Sequence, residues 1–194
     1  MHFSDFKLHP QLARAITRAG YEAPTPIQVK AIPPALTGKD LIGTAQTGTG
    51  KTAAFVLPIL DRLLRAPEKL GKSRALIITP TRELAEQIHT TVREFAEGSR
   101  IRSATIYGGV GMNPQEKALR EGVEILVVCP GRLLDHIEQG TAVLKGIEVL
   151  VLDEADRMFD MGFLPSVRRI IERLPRERQT LLFSATFAPE LQSL

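Results

Sequence analysis

The sequence predicts an α/β fold with a mostly parallel central sheet and helices on both of its faces. Short apolar runs rich in β-branched residues or leucine recur along the chain, and segments with helical spacing of apolar residues separate them. The runs cover residues 40–43, 75–79, 103–107, 124–129, 149–153 and 180–184. Near-continuous apolar strands are typical of parallel sheets buried on both faces, whose ligands lie at the carboxyl ends of the strands. Functional residues are therefore expected directly after these runs.

Two helices are expected before the first strand. The first helix carries an apolar stripe that consists of Leu8, Leu12, Ile16 and Ala19. Pro10 suits its first turn, and Gly20 closes it. The second helix opens within residues 24–28, and it should bend or end at Pro33 and Pro34, since proline lacks the N–H group that a helix interior uses.

Two further helices follow from apolar residues at helical spacing. They carry Leu84, Ile88, Val92 and Phe95 in one case and Leu133, Leu134 and Ile137, before Gly140, in the other. Residues 187–194 look like the start of another helix after the last strand. The abrupt stop there suggests a fragment of a longer protein.

Composition favours an ordinary globular domain. The 194 residues fit one domain, and 43% hydrophobic with 24% charged residues excludes the disordered, collagen-like and membrane classes. The chain has no apolar run near the roughly 20 residues of a membrane helix and no signal-peptide pattern at its start, so a cytoplasmic location and no membrane partner are expected. Cys129 is the single cysteine, which excludes an internal disulfide, and a net charge of +3 permits a polyanionic partner without requiring one.

A phosphate-binding loop is predicted between the first strand and the next helix. It consists of Ala45, Gln46, Thr47, Gly48, Thr49, Gly50, Lys51 and Thr52. Glycines let successive N–H groups turn toward an anion, the helix start adds its dipole, the lysine supplies a charge, and the hydroxyl of Thr52 can ligate magnesium. Ala45 stands where the general pattern has its first glycine, so its backbone must avoid left-handed angles. The alternative is an ordinary Gly/Thr-rich turn with a surface lysine.

An acidic pair follows the apolar strand at residues 149–152. Asp153 emerges at the ligand edge of the sheet, where it can hold magnesium directly or through water. Glu154 then faces the γ-phosphate and could orient or deprotonate the attacking water, which would make the protein a hydrolase. The alternative is a solvated acidic turn that opens a helix.

A base-reading segment is predicted upstream, at residues 20–28. The carboxamide of Gln28 matches the N6 donor and N7 acceptor of adenine and would favour ATP over GTP. Tyr21, with Phe3 behind it, could supply a stacking face. Taken alone, this segment also fits a core aromatic residue and a glutamine on a helix surface.

The segments together resemble the DEAD-box RNA helicases of superfamily 2, in their first RecA-like domain. Residues 20–28 are similar to the Q motif, 45–52 to motif I, 80–85 to motif Ia, 108–109 to the GG element, 153–156 to motif II and 184–186 to motif III. The motifs occur in the family's order and cover almost the whole chain. The resemblance implies one RecA-like P-loop domain over residues 1–194, with residues 1–36 as a helical extension and the second RecA-like domain absent.

The resemblance assigns a role to each site residue. Lys51 and the loop amides would hold the β- and γ-phosphates of ATP, Thr52 and Asp153 the Mg²⁺, and Glu154 the hydrolytic water. These roles agree with the chemistry of the residues. Hydrogen bonds would couple the nucleotide state to closure of the two lobes, through Asp156, Ser184 and Thr186.

An RNA-binding surface is also implied by the resemblance. It consists of Pro80, Thr81, Arg82, Gly108, Gly109, Gly131 and Arg132. Each group starts where a strand gives way to a loop or helix, so amides and arginines can meet phosphates without reading bases. The family's usual TPGR sequence is CPGR here, and a thiol at Cys129 is a weaker hydrogen-bond donor than a hydroxyl.

The sequence is thus interpreted as the ATP-binding lobe of an RNA helicase that needs a second lobe. That lobe would supply the arginine finger, so the isolated chain should be nearly inactive. Two alternatives stay open: a P-loop ATPase or GTPase that is independent of RNA, and a catalytically silent RNA or protein clamp. The lack of an N-K-x-D motif weakens the GTPase alternative.

Overall fold

A computed structural model describes residues 1–67 and 72–186 of the chain. All six predicted strands are present. They are β1 (Leu41–Thr44), β2 (Ala75–Ile78), β3 (Ser103–Ile106), β4 (Ile125–Val128), β5 (Val149–Leu152) and β6 (Gln179–Ser184). The helices are α1 (Pro10–Arg18), α2 (Pro26–Leu36), α3 (Lys51–Arg65), α4 (Arg82–Ala96), α5 (Met112–Glu121), α6 (Pro130–Glu138), α7 (Ala155–Asp160) and α8 (Leu164–Ile171), and a short 3-10 helix covers Phe3–Phe6.

The strands form one sheet in the order β1-β6-β5-β2-β4-β3, and each neighbouring pair is parallel. All six carboxyl ends therefore meet at the same edge of the sheet. The first three strands in this order make up one half of the sheet and the last three the other half. The predicted α/β fold with a parallel sheet is confirmed.

Helices cover both faces of the sheet. In β2, Ala75 and Ile77 point into the apolar cluster beneath α1 to α4, whereas Leu76 and Ile78 point into the cluster beneath α6 and α8. Alternate residues of a strand point to opposite faces, so a strand between two helical layers must be apolar at every position. This explains why the strand runs are nearly continuous in the sequence.

The first helix, α1, starts later than its apolar stripe predicts. Leu8 is buried, but it precedes α1, which begins at Pro10. The ring nitrogen of His9 accepts a hydrogen bond from the backbone N–H of Gln11 at 3.3 Å and caps the helix. Proline is favoured at the first helical position because an N–H group there would have no acceptor within the helix, so its absence costs nothing.

The second helix contains both of its prolines in its last turn. It ends at Leu36, two residues beyond Pro34. The side-chain amide of Gln179, at the start of β6, donates to the carbonyls of Ala35 at 2.9 Å and Lys39 at 2.8 Å. The amide thus satisfies carbonyls that the end of α2 leaves without helical donors.

Helices α4 and α6 match the two predicted from apolar spacing, and α6 ends before Gly140 as expected. Helix α5 had no such signal because its only buried residue is the polar Gln115. The helix expected over residues 187–194 lies outside the described residues.

Candidate nucleotide site and nucleic-acid surface

The predicted phosphate loop joins β1 to α3. Gly48 and Gly50 have φ values of +78° and +88°, which side chains adopt only with strain, and Gly50 is the N-cap of α3. Lys51 is the first residue of that helix and is buried. Ala45 keeps a negative φ, as its side chain requires, and its N–H donates to the carbonyl of Ser184 at 3.0 Å. The loop therefore lies at the carboxyl edge of the sheet, with its amides at a helix N-terminus.

Gln28 lies beside this loop, but its amide makes protein contacts. Its Oε1 accepts from the backbone N–H of Thr25 at 3.0 Å, and its Nε2 donates to the carbonyl of Gly50 at 3.1 Å. The first bond belongs to a capping box at the start of α2. The spacing of Thr25 and Gln28 in the sequence could have indicated it. Adenine recognition by Gln28 stays a prediction, for which Nε2 keeps a second N–H and Oε1 a second lone pair.

Tyr21 packs edge-on between two other rings. Its ring centroid lies 5.9 Å from that of Phe3 and 5.5 Å from that of Phe95. Burial, with a smaller contribution from Glu94, raises the pKa of its hydroxyl. The residue keeps 37% of its surface exposed, which leaves room for the predicted stacking role.

Asp153 follows β5 directly and is 4% exposed. Its N–H donates to the carbonyl of Ile78 at 2.9 Å, while its Oδ1 is buried without a hydrogen-bond partner within the described ranges. Burial raises the pKa of this carboxyl group to about 6, and the charge of Lys51 opposes that rise. A buried carboxylate oxygen without a partner is costly, and a bound divalent cation would provide the missing partner. The residues present therefore fit a magnesium site, and Thr52 lies one residue beyond Lys51 on α3.

Glu154 has a left-handed backbone, with φ +52° and ψ +50°. This conformation costs about 1 to 2 kcal/mol in a residue with a side chain. It turns the chain from β5 into α7, of which Glu154 is the N-cap. The Glu154 carboxylate is buried, and Arg157 pairs with it at 3.4 Å. Backbone strain of this kind concentrates at functional sites, and nothing in the sequence pattern had indicated it.

A hydrogen-bond cluster joins the end of β6 to α7. The N–H of Asp156 donates to Oγ of Ser184 at 3.1 Å. Thr186 donates to Oδ2 of Asp156 from its backbone N–H at 3.0 Å and from its hydroxyl at 3.2 Å. The structure thus brings together the three residues predicted to couple the nucleotide state to lobe closure, and the coupling itself stays a prediction.

The predicted RNA contacts follow the strands of the other half of the sheet. After β2, Pro80 is buried, and Thr81 caps α4 by accepting from the N–H of Leu84 at 3.3 Å. Arg82 is exposed, with its guanidinium carbon 5.0 Å from the centroid of the Tyr107 ring. Gly108 and Gly109 follow β3 and are exposed, and Gly109 has a φ of +81°.

The third group follows β4. Gly131 is exposed in the first turn of α6. Arg132 donates from Nη1 to the carbonyl of Val110 at 2.9 Å, which connects α6 to the loop after β3. Cys129 is the N-cap of α6 but makes no side-chain cap bond, and burial raises the pKa of its thiol to about 11. The raised pKa keeps Cys129, a half-buried residue at a strand end, a neutral thiol.

The two sets of residues share one edge of the sheet but occupy different halves of it. The loop after β1 and the acids after β5 lie in one half, and the predicted RNA contacts follow β2, β4 and β3 in the other. A parallel α/β sheet with a glycine-rich loop after its first strand and a carboxylate pair after a buried strand defines a P-loop domain.

Comparison with known proteins gives the family. The model of the DEAD/DEAH box helicase family matches residues 25–194, and the chain belongs to this family. The chain is 47% identical to DEAD-box ATP-dependent RNA helicase 28 of Oryza sativa subsp. japonica over 193 residues, which is 99% of the chain and 24% of that protein. It is also 47% identical to ATP-dependent RNA helicase DDX42 of Homo sapiens, over 99% of the chain and 21% of that protein. The chain thus spans about a quarter of the length of the curated relatives it matches.

A solved structure confirms the RecA-like architecture. The crystal structure of a DEAD box protein from the hyperthermophile Methanococcus jannaschii superimposes with a TM-score of 0.93 at 39% identity. The match covers 100% of this chain and 52% of the other. The chain is therefore a helicase domain of the DEAD-box type. Among the described residues, every helix is too short or too polar to cross a membrane.

Proposed function

We propose that this chain is the ATP-binding lobe of an RNA helicase. It binds ATP with Mg²⁺ at one half of the sheet edge and the RNA backbone at the other half. With a second RecA-like lobe, it couples ATP hydrolysis to RNA unwinding or to remodelling of RNA–protein complexes. The observation that carries this proposal is the buried Asp153, whose Oδ1 has no hydrogen-bond partner among the described residues and whose pKa is raised by burial against the opposing charge of Lys51.

The phosphate loop accounts for nucleotide binding. Its amides and the dipole of α3 favour an anion, and Lys51 adds a full positive charge next to them. Thr52 and Asp153 would hold Mg²⁺, which neutralises negative charge on the phosphates when it is bound. Gln28 reaches the loop through Gly50, which would couple the base-reading segment to the phosphate site.

Glu154 is the proposed catalytic base. Glu154 follows Asp153 directly, and its left-handed backbone turns the chain from β5 into α7. A carboxylate at this point can accept a proton from a water molecule that attacks the γ-phosphate. Nη1 of Arg157 lies 3.4 Å from Oε2 of Glu154 and pairs with this carboxylate.

RNA binding rests on the exposed glycines of the other half, on the exposed Arg82 and on the partly buried Arg132. Exposed backbone amides after β3 and at the start of α6 can donate to phosphate oxygens, and arginine can do so through its planar fork. Such contacts are independent of sequence, and the affinity should fall steeply with salt. The names of the relatives, which are RNA helicases, support this assignment over an ATPase that is independent of RNA.

A Glu154→Gln variant of the full-length protein tests the proposal. The amide keeps the size but cannot take up a proton, so kcat for ATP should fall by about 10² to 10⁴ while Mg-ATP affinity is kept. The measurements are fluorescent-nucleotide binding and phosphate release, with and without single-stranded RNA. Glu172→Gln, at an exposed acid after α8, is the matched control.

The outcome distinguishes the three functions. The helicase-lobe function is supported if Glu154→Gln loses ATP turnover and if RNA stimulates ATP hydrolysis by the wild type. Hydrolysis that RNA does not change would favour the RNA-independent ATPase. A variant that behaves like the wild type would favour the silent clamp and contradict the role of Glu154.

A further inference from the structure

A cation–π contact links two of the predicted RNA-binding segments. Arg82, the first residue of α4, places its guanidinium carbon 5.0 Å from the centroid of the Tyr107 ring. Tyr107 is the last residue before Gly108 and Gly109 and is only 9% exposed, whereas Arg82 is exposed. An exposed side chain thus lies on a buried ring.

Two hydrogen bonds hold Tyr107, one at its hydroxyl and one at its backbone carbonyl, and a third orients the carboxylate of Glu86. The hydroxyl of Tyr107 donates to Oε1 of Glu86 at 2.6 Å. The hydroxyl of Thr105 donates to the same oxygen at 3.2 Å. The carbonyl of Tyr107 accepts from Nε2 of Gln115 at 3.0 Å. Side chains of α4, β3 and α5 therefore fix both the ring and its backbone.

Glu86 lies one turn after Arg82 on α4, at the spacing that brings two side chains together on one helix face. A carboxylate next to a phosphate-binding surface repels the ligand, and this is unfavourable unless the carboxylate has another task. The two hydrogen bonds that Glu86 accepts identify that task. They lock the tyrosine against the helix that carries Arg82.

Stacking leaves the hydrogen-bonding capacity of Arg82 intact. The guanidinium carbon lies over the Tyr107 ring, and this contact uses the charge of the group but none of its five N–H donors. Within residues 1–67 and 72–186, no hydrogen bond or ion pair uses these donors. They remain available to a ligand next to Gly108 and Gly109.

We propose that Tyr107, locked by Glu86, is a positioning residue for RNA binding: it holds the guanidinium of Arg82 so that its N–H donors meet phosphates beside the exposed glycines. A free arginine loses conformational entropy when it binds a phosphate, and a stacked one has already lost part of it. Tyr107 thus acts on RNA through Arg82 and contacts no phosphate itself. The inference rests on the proposed RNA-binding function.

A double-mutant cycle in the full-length protein tests the inference. The variants are Arg82→Gln, Tyr107→Leu and the double variant, and the measurement is the Kd for a fluorescent single-stranded oligouridine at fixed salt. Tyr107→Leu should weaken binding by about two- to fivefold, the amount of an exposed cation–π contact. It should have no further effect in the Arg82→Gln background, because the residue it positions is gone.

Two conservative variants keep the test decisive if Tyr107→Leu fails to fold. Tyr107→Phe retains the ring but loses the hydrogen bond to Glu86, so its RNA affinity should lie between those of the wild type and Tyr107→Leu or, where that variant is unfolded, below the wild type by no more than about twofold. Glu86→Gln removes the charge that locks the ring and should weaken RNA binding, although removing an acid normally strengthens it. Glu94→Gln, at an exposed acid farther along α4, is the matched control and should not weaken binding.

Each outcome separates the inference from the function on which it rests. Additive losses from Arg82→Gln and Tyr107→Leu, or tighter binding by Glu86→Gln, would overturn the positioning role while RNA binding stands. Unchanged affinity in Arg82→Gln would overturn it as well, since Arg82 would then touch no RNA. If the wild type binds no RNA, both the proposed RNA-binding function and the inference fail.

Discussion

Asp153 occupies surroundings that disfavour its own charge. It is 4% exposed, and one of its oxygens has no hydrogen-bond partner in the described part of the chain. Burial is the main reason that its pKa rises to about 6 from an ordinary value of 3.8, with Lys51 opposing. A group whose pKa is raised on folding binds more protons in the folded state, so stability is lost as the pH rises between these two values. The site holds a destabilising charge that a bound cation would compensate.

An Asp153→Asn variant should therefore be more stable than the wild type without ligand. Asparagine resembles the protonated acid, so the free energy of unfolding at pH 7.5 should rise by roughly 2 to 3 kcal/mol. The gain should vanish below pH 4, where both side chains are neutral. Urea unfolding at several pH values measures the difference. A less stable variant at neutral pH would show that Asp153 is already compensated.

The pH dependence of nucleotide binding by the wild type should be opposite to that of its stability without ligand. Because the ionised carboxylate is the form that ligates a cation, Mg-dependent ATP affinity should increase as the pH rises through about 6. Titration of a fluorescent ATP analogue with and without Mg²⁺ measures this. In Asp153→Asn the Mg-dependent part should be lost at every pH, and a Mg-dependence that survives would remove Asp153 from the site.

At the scale of elements, the phosphate loop and α2 form one unit. Gly50 caps α3 and accepts a hydrogen bond from Gln28 at its carbonyl. A Cβ added at Gly50 would lie 2.6 Å from Nε2 of Gln28 and 2.9 Å from Oγ1 of Thr25. At Gly48, which also has a positive φ, an added Cβ would meet no atom within 4 Å. The two glycines are thus required for different reasons.

Alanine at these two positions should separate backbone strain from crowding. Both substitutions cost left-handed strain, but only Gly50→Ala also forces the start of α2 away from the loop. We expect Gly50→Ala to lower the free energy of unfolding by about 1 to 3 kcal/mol more than Gly48→Ala does. Denaturant unfolding of the two variants without nucleotide provides the comparison. Equal losses would mean that α2 and the loop are not packed as one unit.

At the scale of the whole molecule, one sheet edge carries both proposed sites. The strand order places the nucleotide loop on β1 and the acids on β5, with β6 and its Ser184 between them. Strand β2 lies next to β5 and begins the half that carries the predicted RNA contacts. A change at the acids can therefore reach the RNA half across a single pair of strands, and it can reach Thr186 through Asp156.

The chain alone should hydrolyse ATP feebly and unwind nothing. An arginine finger contributes about 10³ to 10⁵ in rate in related phosphoryl-transfer enzymes, and the resemblance assigns that residue to a second lobe. Steady-state ATPase assays should show stimulation by RNA only in a protein that has both lobes. Brisk unwinding of an RNA duplex by these 194 residues would contradict the two-lobe requirement.

Much of the fold follows from the sequence alone, and the sequence also proposes the members of the site. The central strands were predictable because a strand buried on both faces is nearly continuously apolar. The edge strands β1 and β3 are less buried and were predictable as short runs between helical segments. The loop at residues 45–52 has the spacing that is typical of a phosphate-binding loop, and its role stays a prediction. Helix α5 was not predictable, since Gln115 is its single buried side chain. Residue type and spacing are local properties, and they determine which elements form and which chemistry each can supply.

Contacts between distant segments were decided by the tertiary structure. The bond between Gln28 and Gly50, the stacking of Arg82 on Tyr107 and the unpaired oxygen of Asp153 each depend on how strands and helices meet. The left-handed backbone of Glu154 likewise arises where β5 turns into α7. The physical reason is that burial, strain and pKa depend on the whole surroundings of a residue, which the packing of non-adjacent segments creates.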